Sequence, residues 1–190
     1  MKKSDLYKNN PELKIIIEDC GWRPTVLVAD DDYAIVDIFN IAFEMCNIYD
    51  VITAYDGNEL LKILKAKPVI DLVIIDDNMP TMGGFEFTQR MKRIPVYADV
   101  PVIMCSGFYI EETLRTFIYH SKGNILVGKP IDVFHFVTLM NVCLVNHFKL
   151  LRCTINDADI YNELLKERRE WIRKSCLNLK NRRSFWEGFF

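Results

Sequence analysis

The sequence predicts an α/β protein built on a doubly wound, five-stranded parallel β-sheet with helices on both faces. Between Thr25 and Phe148, short apolar runs rich in β-branched residues alternate with longer segments of helical period. No low-complexity segment or internal repeat interrupts this alternation. The pattern is typical of βαβ units, whose crossover helices cover a parallel sheet from both sides.

The predicted strands are five apolar runs separated by helical segments. They read TVLVAD, DVITAY, DLVIID, VPVIMCS and NILVGK, and they begin at residues 25, 50, 71, 100 and 124. The third run is apolar throughout before its terminal carboxylate. A strand that helices cover on both faces is expected to have this composition.

The segments between the strands carry apolar residues at helical spacing, and Asp32 is expected to cap the first helix. The marker residues of the first four predicted helices are Ile35, Ile38, Phe39, Ala42 and Phe43; Leu60, Leu61 and Leu64; Phe85, Phe87, Met91 and Ile94; and Ile110, Leu114, Phe117 and Ile118. A fifth helix begins near Asp132 and is apolar around most of its circumference. Its second apolar face therefore needs a cover.

Three parts are predicted along the chain: a helical extension over 1–24, an α/β domain over 25–150 and an amphipathic helical extension over 151–190. The last part carries an apolar stripe that would cover the fifth helix, either by folding back or by pairing two chains as a homodimer. The stripe contains Tyr161, Leu164, Leu165, Trp171, Ile172, Cys176 and Leu179.

Composition and charge exclude several classes of protein. Half of the residues are hydrophobic and the net charge is −2, which argues against a disordered chain and against general attraction to nucleic acid. Residues 151–190 hold nine Lys/Arg against six Asp/Glu, a net charge of +3 that we interpret as a solvated face. The six cysteines have no metal-ligand spacing and indicate reduced core thiols. With no signal peptide and no membrane span, the expectation is a soluble, cytoplasmic protein.

Polar side chains collect where the predicted strands end. The first strand ends in Asp30-Asp31-Asp32, the third in Asp76-Asp77, the fourth in Ser106 and the fifth in Lys129-Pro130. Ligands of open parallel sheets bind beyond these carboxyl ends. Several carboxylates at one edge repel each other unless a hard cation neutralises them, so the sequence predicts a Mg²⁺ site.

The same groups suit phosphoryl transfer. With Mg²⁺ bound, an aspartate carboxylate can act as nucleophile while a hydroxyl and an ammonium group hold phosphoryl oxygens. The alternative for a single aspartate after a strand is helix capping. For Asp77 we expect a solvent-facing side chain, with control of water access to the site as the alternative.

The segments VLVADDD, LVIIDDNMPTMGG, VPVIMCSG and LVGKP together resemble the receiver domain of bacterial two-component response regulators. The resemblance covers about residues 25–150 and implies a flavodoxin-like sheet with strand order 2-1-3-4-5. It implies that Asp76 is the phosphoacceptor, that Asp30 and Asp31 bind Mg²⁺ together with Asp76, and that Asn78 offers the metal its backbone carbonyl. Ser106 then matches the switch hydroxyl and Lys129 the phosphate-binding lysine.

Two departures from the family pattern stand out. Gly83-Gly84 replaces the usual Asp-Gly, which suggests a looser turn. Leu126 stands where the family places its switch aromatic residue, three residues before Lys129. The phosphorylation chemistry is expected to be intact, whereas a ring that turns inward on phosphorylation is lacking at this position.

These features favour a single-domain response regulator rather than an enzyme acting on external substrates. Its implied partner is a histidine kinase or a histidine phosphotransfer protein, and it would signal by protein–protein contact. The alternatives are a DNA-binding regulator that uses the basic tail, an aspartyl phosphohydrolase resembling haloacid dehalogenases, and a scaffold without phosphate chemistry. Nucleic acid is disfavoured because the tail has no helix-turn-helix turn.

Overall fold

The computed structural model describes residues 23–66, 69–107 and 124–152 of the 190-residue chain. Its strands are β1 (Thr25–Ala29), β2 (Asp50–Ala54), β3 (Leu72–Asp76), β4 (Val102–Ser106) and β5 (Ile125–Gly128). Its α-helices are α1 (Tyr33–Cys46), α2 (Gly57–Ala66), α3 (Gly84–Lys92) and α4 (Val133–Arg152), with a 3-10 turn at Pro95–Tyr97. The predicted extension 1–24, except its last two residues, the predicted helix around 110–118 and the tail after Arg152 lie outside the described residues.

The five strands form one parallel sheet in the order β2-β1-β3-β4-β5. This confirms the predicted fold class and strand order. In the register of the central pair, Asp76 lies opposite Cys105, and on the next pair Ser106 lies opposite Gly128. The carboxyl ends of β1, β3, β4 and β5 therefore meet at one edge of the sheet.

Apolar side chains pack on both faces of the sheet. On one face, residues of β1, β3 and β4 pack with Phe39 and Phe43 of α1 and with Phe136 and Met140 of α4. On the other face, the alternate strand residues pack with α2 and α3 through side chains such as Leu60 and Phe87. Burying a side chain of this size contributes roughly 1.5–3 kcal/mol each, so the two clusters hold the strand ends in fixed relative positions.

Helix α1 begins and ends at polar caps. Asp32 Oδ1 accepts a hydrogen bond from the Ala34 N–H at 2.9 Å, as predicted, and Asn47 ends the helix in the left-handed region with φ of 50°. One apolar residue with the helical spacing does not join the core: Ile38 is 45% exposed. It faces solvent because the sheet and α4 cover only the side of α1 that carries Val36, Phe39 and Phe43.

Helix α4 closes the first face of the sheet and continues to Arg152. Asn141 is completely buried on this helix and accepts a hydrogen bond from the Tyr49 hydroxyl. Val142 on the same helix is 42% exposed, so part of the predicted apolar circumference does face outward. No helix in the described ranges is both long and apolar enough to cross a membrane.

The described cysteines fit the prediction of core thiols. Cys46, Cys105 and Cys143 are buried and form no disulfide. Burial raises the pKa of the Cys105 thiol to about 12, so this sulfur, which lies next to the carboxyl edge of the sheet, stays protonated at neutral pH. It is therefore a poor nucleophile and serves as packing.

Candidate functional site

Lys129 joins two buried carboxylates at the carboxyl edge of the sheet. Its Nζ lies 2.8 Å from Asp30 Oδ2 and 2.5 Å from Asp76 Oδ1. Asp30 follows β1, Asp76 ends β3, and Lys129 follows β5 and reaches across β4. The peptide bond between Lys129 and Pro130 is cis. Three of the residues predicted to form the site are thus brought into direct contact.

The remaining oxygens of both carboxylates accept backbone hydrogen bonds. Asp30 Oδ1 accepts from the Asp32 N–H at 3.0 Å, and Asp76 Oδ2 accepts from the Asn78 N–H at 2.7 Å. Asp30 and Asp76 are only 3% and 5% exposed. Every carboxylate oxygen therefore has a donor, and the two side chains are held in one orientation.

The pKa values of Asp30 and Lys129 are shifted by their burial and by each other. Burial raises the pKa of Asp30, although the hydrogen bonds from Lys129 and Asp32 oppose this shift. Burial alone would lower the pKa of Lys129, but the hydrogen bonds and charges of Asp30 and Asp76 outweigh it and raise that pKa well above its usual value. Lys129 therefore remains an ammonium group and acts as a fixed positive charge.

Ser106 lies at the same edge and is bound to the carboxylate of Asp77. Its Oγ donates to Asp77 Oδ2 at 2.6 Å, and its backbone oxygen accepts from the Lys129 N–H at 2.8 Å. The expectation that Asp77 faces solvent is therefore wrong in part, because this side chain is half-buried and bound to Ser106. The cause is the backbone bond from the Asp77 N–H to Cys105 O at 3.0 Å, which carries Asp77 alongside the end of β4.

The predicted metal ligands are partly assembled. Asp30 and Asp76 both contact the Lys129 ammonium group. Asp31 and Asn78 are exposed beside them. Within the described ranges, no group of three or more His, Cys, Asp or Glu side chains is already arranged as a metal site. The donor chemistry still fits a hard divalent ion, because such ions bind carboxylate oxygens. The Asp30 and Asp76 carboxylates converge here and already share the positive charge of Lys129.

The turn between β3 and α3 lies against the Asp76 backbone. A Cβ atom on Gly84 would stand 2.2 Å from Asp76 O, and one on Gly83 would stand 2.7 Å from Asp77 O. These glycines allow a close approach rather than a loose turn. A glycine pair directly before a helix is the sequence signal of such an approach.

Leu126 occupies the position at which the resemblance to receiver domains predicts an aromatic switch residue. It pairs with Met104 across β4 and β5 and is partly buried against the cluster on the α3 side of the sheet. Its side chain therefore contributes to packing. It carries no hydroxyl group that could report on the state of the site.

The chain is similar to known proteins of one family. A family model for the response regulator receiver domain matches residues 26–141. The DNA-binding dual master transcriptional regulator RpaA of Synechocystis sp. is 31% identical over 159 residues, which cover 80% of this chain and 64% of that protein. The CAI-1 autoinducer sensor kinase/phosphatase CqsS of Vibrio cholerae is 34% identical over 108 residues, which cover 56% of this chain and 15% of that protein.

A solved structure gives the same result at the level of the fold. The chemotaxis protein CheY4 of Vibrio cholerae superposes with a TM-score of 0.57 and 27% identity, covering 65% of this chain and all of that chain. The two curated relatives are longer proteins, of which this chain spans 64% and 15%. The family model therefore falls within the α/β domain that carries the site, whereas the match to RpaA extends over more of the chain.

Proposed function

Because the chain belongs to the response regulator receiver domain family, we propose that it is a phosphorylation-controlled switch in which Asp76 accepts a phosphoryl group. The observation that carries this proposal is the contact of Lys129 Nζ with both Asp30 and Asp76 at the carboxyl edge of the sheet. An ammonium group so placed can bind a phosphoryl oxygen once phosphate is attached to Asp76.

Each residue of the site has a role in this proposal. Asp76 is the nucleophile, and Lys129 and Ser106 bind phosphoryl oxygens that the metal leaves free. Asp30, Asp31, Asp76 and the backbone carbonyl of Asn78 would hold Mg²⁺. When bound, the ion neutralises the carboxylates and the charge of the phosphoryl oxygens.

The donor is proposed to be a phosphohistidine on a histidine kinase or on a histidine phosphotransfer protein. A carboxylate oxygen of Asp76 attacks phosphorus, so that an O–P bond forms as the P–N bond breaks. The bonding electrons remain on the histidine nitrogen, which takes up a proton. Because its pKa is raised, Lys129 keeps its own proton throughout and stabilises charge. Water later attacks phosphorus, the O–P bond to Asp76 breaks, and inorganic phosphate leaves as the carboxylate is restored.

The same proposal includes the extent of catalysis, the location of the protein and the form of its output. Catalysis is limited to phosphorylation and slow dephosphorylation of the chain itself, in the cytoplasm. The output is a protein–protein contact, with a homodimer through α4 and the tail as one form of it.

The test is phosphorylation by acetyl phosphate with Mg²⁺, followed by intact-mass measurement. The wild-type chain is expected to gain one phosphate, and Asp76→Asn none, because an amide cannot form the acyl phosphate. Asp99→Asn, an exposed change before β4 at the opposite edge of the sheet, is the matched control and should behave as wild type. A mass gain that persists in Asp76→Asn contradicts the assigned acceptor, and no gain in the wild type contradicts the function.

One observation favours a second candidate, a DNA-binding regulator. The match to RpaA covers 80% of this chain, more than the residues that the family model matches, and the tail over 151–190 has a net charge of +3. Salt-dependent binding of duplex DNA that disappears when residues 153–190 are removed would support it. Binding that is unchanged by this deletion, or no binding at low salt, would reject it.

A further inference from the structure

The switch hydroxyl of the proposed site is bound to a carboxylate that does not accept phosphate. Ser106 is 2% exposed, and its Oγ donates to Asp77 Oδ2 at 2.6 Å. Asp77 is a half-buried neighbour of the proposed acceptor Asp76. A hydroxyl group has one proton and donates it to one acceptor at a time. In this arrangement that proton is directed to Asp77.

The strand register explains why the two side chains meet. Asp76 lies opposite Cys105, and the Asp77 N–H bonds to Cys105 O at 3.0 Å. One step further along both strands, Asp77 is level with Ser106. Side chains at the same level of adjacent parallel strands share a face, whereas Asp76 belongs to the alternate position. The contact therefore follows from the fold and from having aspartate at position 77.

We propose that Asp77 is a positioning residue that holds the Ser106 hydroxyl in the unphosphorylated arrangement, so that phosphorylation of Asp76 must break the Ser106–Asp77 hydrogen bond. This inference rests on the proposed function. A phosphoryl group on Asp76 offers strongly charged oxygens, which compete with Asp77 for the single hydroxyl proton. Once released, the Asp77 carboxylate is hydrated, because it is only half-buried. Asp77 thereby sets the balance between the two arrangements of the switch.

The measurement is the affinity for beryllofluoride, a phosphoryl mimic, determined by calorimetry at saturating Mg²⁺. Asp77→Ala removes the competing acceptor and is expected to tighten binding by about 3- to 10-fold, the size of a typical net contribution of one hydrogen bond. Asp77→Asn keeps a weaker, neutral acceptor and should tighten binding less. Asp99→Ala removes an exposed carboxylate at the opposite edge of the sheet and should leave the affinity unchanged.

A double-mutant cycle separates the hydrogen bond from the charge of Asp77. In a Ser106→Ala background the hydroxyl is absent, so Asp77→Ala should change the affinity by less than about 2-fold. Equal tightening with and without Ser106 would overturn the inference, because Asp77 would then act through its charge alone. Unchanged or weaker binding by Asp77→Ala, in protein with a wild-type melting temperature, would also overturn it.

The proposed function fails in a different way from this inference. If the wild-type chain binds no beryllofluoride and takes up no phosphate from acetyl phosphate, the receiver function is wrong and the role of Asp77 falls with it. If the wild-type chain binds the mimic but the Asp77 variants match it, only the role of Asp77 is wrong.

Discussion

At Asp30, the competition between burial and pairing decides the electrostatics of the site. Asp30 and Asp76 share the single positive charge of Lys129, so the pair of carboxylates is only half neutralised. Burial removes water that would otherwise solvate the Asp30 charge, and its pKa is raised despite the lysine. A residue that we propose binds Mg²⁺ thus carries a stability cost in the metal-free protein.

The first prediction concerns this cost. Asp30→Asn is expected to raise the free energy of unfolding at pH 7 in EDTA by about 1 kcal/mol, a common size for a single substitution. Because the folded-state pKa of Asp30 lies above its ordinary value of 3.8, wild-type stability relative to the variant should be highest below pH 3.8. It should then fall as the pH rises through the folded-state pKa. Urea unfolding between pH 3 and pH 8 measures this difference.

The control is Asp37→Asn, which changes an exposed carboxylate on α1. It should alter the unfolding free energy by less than about 0.5 kcal/mol across the same pH range. An Asp30→Asn protein less stable than wild type at pH 7 would show that the bond to Lys129 outweighs the burial of the charge.

Among the elements, α3 fixes the backbone of the proposed phosphoacceptor. The Gly84 N–H donates to Asp77 O at 3.1 Å, and the Gly84 Cα lies against the Asp76 carbonyl. Phe87 and Met91 of the same helix are completely buried beneath the sheet. The first turn of α3 thus packs directly against the end of β3, so there is no space for a side chain at Gly84.

The second prediction tests this packing. Gly84→Ala places a methyl group 2.2 Å from Asp76 O and is expected to lower the free energy of unfolding by about 1–3 kcal/mol, as overpacking does. Gly107→Ala is the matched control, because nothing lies within 4 Å of a Cβ atom there. Urea unfolding of both proteins measures the contrast. Equal effects of the two substitutions would contradict the close approach of α3.

The strands β3 and β4 could be predicted almost residue by residue, and the reason is their burial. All five residues of β3 and all five of β4 are buried, so their apolar runs have few compatible alternatives. The helices were harder to place in detail. Ile38 has the spacing of a core residue, yet it is exposed, because an apolar pattern does not specify how much of a helix its neighbours cover.

The sequence indicates which residues form the candidate site but not every contact between them. Strand ends indicated a wider set of polar residues, and the structure brings three of them, Asp30, Asp76 and Lys129, together. The partner of Ser106 could not be predicted in the same way. Whether Ser106 meets Asp76 or Asp77 depends on the register of β3 against β4, which is set by contacts between distant segments.

Over the whole molecule, the site connects segments that are far apart in the chain. Lys129 and Asp30 are separated by 99 positions, and β3 with Asp76 lies between them in sequence. A ligand that binds this edge therefore contacts groups held together only in the folded state. Its binding therefore raises the free energy of unfolding by an amount that grows with the ratio of ligand concentration to dissociation constant.

The last prediction follows from this linkage. Mg²⁺ at 100 times its dissociation constant should raise the free energy of unfolding by about 2.7 kcal/mol. Asp31→Asn should lose most of this gain yet match the wild type in EDTA, because Asp31 is exposed and its proposed partner is the ion. Asp37→Asn, with the same change on α1, should keep the gain and so rules out a general charge effect. Urea unfolding with and without Mg²⁺ decides the matter: if the gain survives Asp31→Asn in full, Asp31 does not hold the ion.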